Sequence, residues 1–136
     1  RALGVKPFST ATEEAFLTNL NHALENIWLS QSKYVVKKEV GIAHVFQNND
    51  SYNGLFYNGR FDFVVYERVG GMELPVLAIE LDGKEHFDDM RVKERDRKKN
   101  EICKEHNLQL IRVENSYARR YNYIKDILIN YFSVRH

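Results

Sequence analysis

The run Leu77-Ala78-Ile79-Glu80-Leu81-Asp82-Gly83-Lys84-Glu85-His86 constrains this chain more than any other stretch. It begins as an apolar strand of the buried type and ends in two carboxylates one residue apart, followed by a glycine, a lysine and a histidine. Successive strand side chains alternate faces, so Glu80 and Asp82 are expected to point the same way. Two acids side by side at the end of an apolar strand repel each other and are costly to desolvate. A cation offsets that cost, most simply a metal ion held by oxygen ligands.

A partner strand lies just upstream. Residues 60–66, Arg-Phe-Asp-Phe-Val-Val-Tyr, and residues 74–82 both read as strands, and Gly70-Gly71 supplies the turn between them. In a hairpin symmetric about Gly71, Asp62 lies opposite Glu80, and an even register slip leaves both on one face. Aspartate is depleted in apolar strands, so Asp62 asks for a reason. Asp62, Glu80 and Asp82 are therefore expected to cluster at one end of two paired strands. Pro75 at the start of the second strand does little harm to the ladder.

The remaining elements follow from periodicity. Phe16, Leu17, Leu20, Leu24, Ile27 and Trp28 predict a first helix over residues 11–29. Glu13 falls near its inward stripe, either as an active-site acid or as the partner of Thr10 in a capping box. Residues 34–40 predict a strand, and residues 42–46 carry no clear assignment. Residues 47–59 form an Asn- and Gly-rich loop whose Tyr52, Phe56 and Tyr57 either fold over the core or stack on bases. Asp88 or Asp89 caps a helix that runs to His106 and stops at Asn107. Val92, Ile102 and Cys103 mark its inward stripe, and Asp96 and Lys99 share that stripe. This charged pair either faces the acidic cluster or satisfies itself. Residues 108–113 alternate least and read as an internal strand. Asn115-Ser116 is expected to cap a last helix carrying Tyr121, Ile124, Ile127, Leu128 and Tyr131. The expected class is α/β (α+β) in the order α-β-β-β-α-β-α, as one domain over residues 1–136.

Composition narrows the function classes. The 136 residues carry a net charge of +1, so the chain is no polycation. Six basic residues nevertheless stand between Arg91 and Lys99 against two acids, and Arg112, Arg119, Arg120 and Lys125 form a second group. Such faces hold phosphate backbones or are solvated surfaces laced with i,i+4 ion pairs. No apolar run reaches membrane-spanning length and no signal peptide is visible, which predicts a cytoplasmic protein without membrane association. The chain begins with Arg1 rather than Met, so it is expected to be cut from a longer protein with further domains. The single Cys103 excludes an internal disulfide and reads as a packed thiol. Cysteine-based zinc binding fails by count, and no GxxxxGK[ST] loop supports an ATPase.

Asp62, then Glu80-Leu81-Asp82-Gly83, His86, Asp96 and Lys99, closing on Leu110-Ile111-Arg112-Val113, together resemble the PD-(D/E)XK nuclease superfamily. The closest part is the E-x-D-G-x-x-H branch similar to very-short-patch-repair endonucleases and related restriction-endonuclease-like domains of unknown function. The resemblance covers residues 10–115. It implies a restriction-endonuclease-like fold, with a mixed central sheet flanked by helices, and a Mg²⁺- or Mn²⁺-dependent endonuclease that hydrolyses DNA phosphodiester bonds. It also implies Asp62 and Glu80 as metal ligands, with Glu13 assisting from the first helix. The superfamily's lysine would stand where this chain has Asp82. Asp82 then becomes a further ligand, and a lysine comes from elsewhere: Lys99 by preference, Lys84 second. His86 serves as base or phosphate contact, or as a hydrogen-bonded structural residue. Arg91, Arg95, Lys98 and Lys84 are the expected nucleic-acid contacts. Two other readings stand beside this one. The first is a catalytically altered nucleic-acid-binding module on the same fold. The second is a structural or protein-interaction domain whose acids pair with the basic helix.

Overall fold

Two unbroken buried runs set the architecture. Residues 61–66 and 76–81 are buried one after another, as strands covered on both faces must be. In the computed structural model, which describes residues 10–27, 33–46, 59–83 and 90–135, these runs are the centres of β2 (Arg60–Val69) and β3 (Met72–Asp82). The other elements are α1 (Thr10–Ile27), β1 (Lys33–Gly41), a single helical turn α2 (Ile42–Val45), α3 (Met90–Glu105), β4 (Gln109–Glu114), a 3-10 turn (Asn115–Tyr117) and α4 (Tyr121–Arg135). The class is mixed α+β, with a four-stranded mixed sheet ordered β1-β2-β3-β4. The expected element order is present, and α2 fills the stretch that periodicity left unassigned.

Two expectations need correction. β4 ends the strand order rather than lying inside it. Its apolar look came partly from Leu108, which precedes the strand and packs in a core cluster with Ile102 and Cys103 of α3. The last helix also starts later than Asn115-Ser116. Those two residues open the 3-10 turn, and the helix begins at Tyr121, where the Arg120 carbonyl accepts the Ile124 N–H at 3.1 Å.

The β2–β3 hairpin turns on Gly70 (φ 56°) and Gly71 (φ 83°) between the paired Val69 and Met72. This two-residue turn with both φ positive suits the strand twist. A Cβ at Gly71 would meet nothing within 4 Å, so substitution there costs backbone strain alone. Gly71→Val is expected to lower stability by about 1–2 kcal/mol, read as a lower urea midpoint.

The chain divides into two compact units, Arg1–Gln31 with Leu81–Gly83 and Val113–His136, and Ser32–Glu80 with Lys84–Arg112. In the first, α1 packs on α4. Phe16, Leu20, Ala23 and Leu24 of α1 are buried at helical spacing, as are Ile124 and Leu128 of α4. Burying a side chain such as Phe16 or Leu20 contributes about 1.5–3 kcal/mol. In the second unit, Ile102 and Cys103 of α3 join Phe46, Phe61, Val64 and Ala78 in one cluster. Val64 and Ala78 are cross-strand partners, so α3 lies on the sheet face that carries them. This helix is otherwise polar, and its buried residues are Lys99, Ile102 and Cys103. It ends where expected: Asn107 takes φ 58°, with Asn107 N–H donating to the Lys104 carbonyl and Leu108 N–H to the Cys103 carbonyl at 2.9 Å. That pair of bonds is a Schellman motif.

Tyr52, Phe56, Tyr57, Asp88, Asp89 and the Thr10 side chain lie outside the described residues. No helix among the described residues is long and apolar enough to cross a membrane.

Candidate active site

A β-bulge decides which residues meet. From the turn, Val69 pairs with Met72 and Tyr66 with Pro75, whereas Val65 pairs with Leu77. Val76 is thus an extra residue on β3, and the register beyond it moves by one. Without the bulge, Asp62 would face Ile79. With it, Phe63 faces Ile79, and the next position sets Asp62 opposite Glu80. These two residues share the face of Val64 and Ala78, which is the face α3 covers.

Glu80, Lys99 and Asp62 are the three buried charged side chains among the described residues, at 4%, 7% and 9% exposure. Glu80 Oε2 accepts the Asp62 backbone N–H at 3.0 Å. Its other oxygen, Oε1, accepts from the Lys99 ammonium at 3.0 Å. The same Lys99 Nζ donates to the Arg60 carbonyl at 2.6 Å and stands 5.8 Å from the centroid of the Phe61 ring. An ammonium has three protons; the third has no acceptor among the described residues.

Arg112 of β4 adds a second cation. Its Nη1 lies 4.0 Å from Glu80 Oε1 and 3.3 Å from Asp96 Oδ1. Its Nη2 donates to the Asp96 carbonyl at 3.1 Å and to Asn100 Oδ1 at 3.0 Å. Of the alternatives for the α3 stripe, Lys99 therefore turns to Glu80 while Asp96 pairs with Arg112. They do not satisfy each other.

On the other side of Asp62 lies Glu39 of β1, and their carboxylate oxygens come within 4.8 Å. Lys38 pairs with Phe63 and Val40 with Phe61, so Glu39 sits between two ladder rungs opposite Asp62. It holds φ 53°, a left-handed conformation that costs a non-glycine residue about 1–2 kcal/mol. The Arg60 guanidinium donates to the Glu39 carbonyl at 3.0 Å. At 4.8 Å and an effective dielectric of about 20, two carboxylates repel by roughly 3 kcal/mol. A cation placed between them converts that repulsion into attraction.

The other candidates fall as follows. Glu13 is half-buried in the first turn of α1, and Asp82 is half-buried at the end of β3; both belong to the first unit. Lys84 and His86 lie outside the described residues. Arg91 and Arg95 are exposed on α3 and Lys98 is half-buried. Arg97 pairs with Glu94 and Glu101 on the same helix, so part of the basic run is the ion-paired surface that its spacing allowed. Glu39 and Arg112 were not among the expected site residues. The rule that singled out Asp62, an acid inside an apolar strand, does not reach Glu39, which follows Lys37 and Lys38 in a strand of mixed character.

Cys103 is buried beside this group. Burial first, and then the Glu80 charge, push its thiol up to about 12. Unfolded, the thiol ionises near 8.5, so the unfolded chain releases its proton first. The thiol's contribution to stability is complete below about pH 8.5 and is lost as pH rises toward 12. Cys103 is expected to resist alkylation at pH 8 in the folded protein and to react once the chain is unfolded in urea.

Residues 5–130 match the model of a family described as a protein of unknown function, DUF2726. No curated protein and no solved structure matches the chain.

Proposed function

The chain belongs to the DUF2726 family, and we propose that it is a metal-dependent nuclease that hydrolyses DNA phosphodiester bonds. The observation that carries this reading is the buried Lys99 amine, held 3.0 Å from Glu80 on the strand next to Asp62. It supports a relocated lysine of the PD-(D/E)XK kind, and the element order supports the corresponding restriction-endonuclease-like fold.

The donor set fits a hard divalent cation. Asp62 and Glu39, with oxygens within 4.8 Å of each other, offer carboxylate oxygens that suit Mg²⁺ or Mn²⁺, and Glu80 is the further ligand that the superfamily resemblance implies. Such an ion supplies charge neutralisation at the phosphate and a water activated at neutral pH. The chain's own groups do the rest. Lys99, with one proton uncommitted among the described residues, orients a water or stabilises a phosphate oxygen. Its bonds to Glu80 and the Arg60 carbonyl hold the amine in place. Arg112 keeps a second positive charge near Glu80.

Incubating the protein with plasmid and with single-stranded DNA across a Mg²⁺ and Mn²⁺ titration tests the proposal. Cleavage that appears with metal and vanishes in EDTA supports it. A second reading draws on the Glu80 contacts: a carboxylate bonded to Lys99 and to the Asp62 N–H can equally be a structural ion pair in a non-hydrolytic module. No cleavage with either metal selects that reading.

Glu39 separates stability from activity. Glu39→Gly removes the left-handed strain and the repulsion of Asp62, so the unfolding midpoint is expected to stay or rise. Cleavage is expected to fall by roughly a hundredfold or more, because the proposed metal loses one of its charged ligands.

A further inference from the structure

Residues 115–125, Asn-Ser-Tyr-Ala-Arg-Arg-Tyr-Asn-Tyr-Ile-Lys, hold three tyrosines and three cations and no acid. Backbone bonds fold the stretch tightly. Ala118 N–H donates to the Asn115 carbonyl at 3.1 Å and Arg120 N–H to the Tyr117 carbonyl at 3.0 Å. The buried Ala118 anchors the turn. Tyr117 and Tyr123 then stack with ring centroids 4.5 Å and planes 18° apart. The Arg120 guanidinium lies over the Tyr117 ring, 4.7 Å from its centroid. Tyr123 is 37% exposed, and Arg119 and Arg120 are exposed beside it. Among the described side chains of α4 the buried ones are Ile124 and Leu128, and neither Tyr117 nor Tyr123 is among the buried core residues.

We propose that the Tyr117–Tyr123–Arg120 platform binds single-stranded nucleic acid. An unpaired base extends the ring stack onto Tyr123, and Arg119 and Arg120 engage the flanking phosphates. Every base has a π-face, so stacked aromatics with adjoining cations suit a strand of any sequence. Bases within a duplex are already stacked and do not reach such a platform. The stretch is flanked by the exposed Glu114 and Asp126, and its three cations outnumber those two acids, so the local charge stays positive and favours a polyanion. The inference stands on these residues alone and concerns binding, not hydrolysis.

Fluorescence anisotropy of a labelled oligothymidylate of about 12 nucleotides, titrated with the full chain in EDTA, tests it. Tyr123→Phe keeps the ring and is expected to bind as the parent does. Tyr123→Leu keeps apolar bulk without the ring and is expected to weaken binding by roughly 5- to 100-fold. Arg119→Ala, at an exposed position, is expected to reduce the slope of log K against log salt by about 0.7. No binding by the parent chain, an unchanged affinity in Tyr123→Leu, or an unchanged salt slope in Arg119→Ala overturns the proposal. Working in EDTA keeps the two readings apart. Binding there without cleavage in Mg²⁺ supports the platform and contradicts the nuclease.

Discussion

Replacing Lys99 with methionine is expected to destabilise the protein by about 3–5 kcal/mol and to abolish cleavage. The reason is burial. Glu80 is 4% exposed, and without the ammonium its carboxylate keeps, among the described residues, the Asp62 N–H and the more distant Arg112, 4.0 Å away. The Arg60 carbonyl loses its 2.6 Å donor at the same time. Removing one partner of a buried pair costs far more than the pair contributes, because the remaining charge stays desolvated. Urea unfolding at neutral pH reads the loss directly. A change below about 1 kcal/mol, within the range of an exposed ion pair, would mean that Lys99 and Glu80 are not held together in a dry site.

Asp62→Asn is expected to behave in the opposite way, with a nearly intact fold and a lost reaction. The contact from Asp62 to Glu80 runs through the backbone N–H, which the substitution keeps. Removing one of the two carboxylates within 4.8 Å of each other relieves repulsion, so the unfolding midpoint is expected to stay within a few degrees. The proposed metal loses a charged ligand, and several kcal/mol of transition-state stabilisation correspond to a cleavage rate lower by roughly a thousandfold. A variant that unfolds as it loses activity would instead make Asp62 a structural residue.

The hairpin and its turn were legible in the sequence because glycines at 70 and 71 and two apolar runs leave little choice. The meeting of Asp62 and Glu80 was legible for an incomplete reason. Symmetry about Gly71 yields the right partner, yet the turn is centred between Gly70 and Gly71, and the extra Val76 makes up the difference. Lys99 could be placed because three buried positions on α3, Lys99, Ile102 and Cys103, share one helical stripe. Arg112 and Glu39 were harder to see. Each enters the site through sheet order and cross-strand register, which are long-range properties that no local pattern encodes. β4 misled because Leu108 belongs to the helix cap rather than to the strand. The start of α4 misled because Asn115 and Ser116 suit a 3-10 turn as well as a helix cap.

If the molecule is a nuclease, Glu80 and Lys99 are kept as a buried charged pair for the reaction rather than for the fold. The double variant Glu80→Gln/Lys99→Met isolates that role. Glutamine retains an acceptor for the Asp62 N–H, and no charge is left unpaired, so stability is expected to return to within about 1–2 kcal/mol of the parent. The measurement is plasmid cleavage in Mg²⁺ by this refolded double variant beside the parent chain. The parent is expected to cleave in a metal-dependent way and the double variant not at all. Equal cleavage by both, or none by the parent in Mg²⁺ or Mn²⁺, would contradict that role.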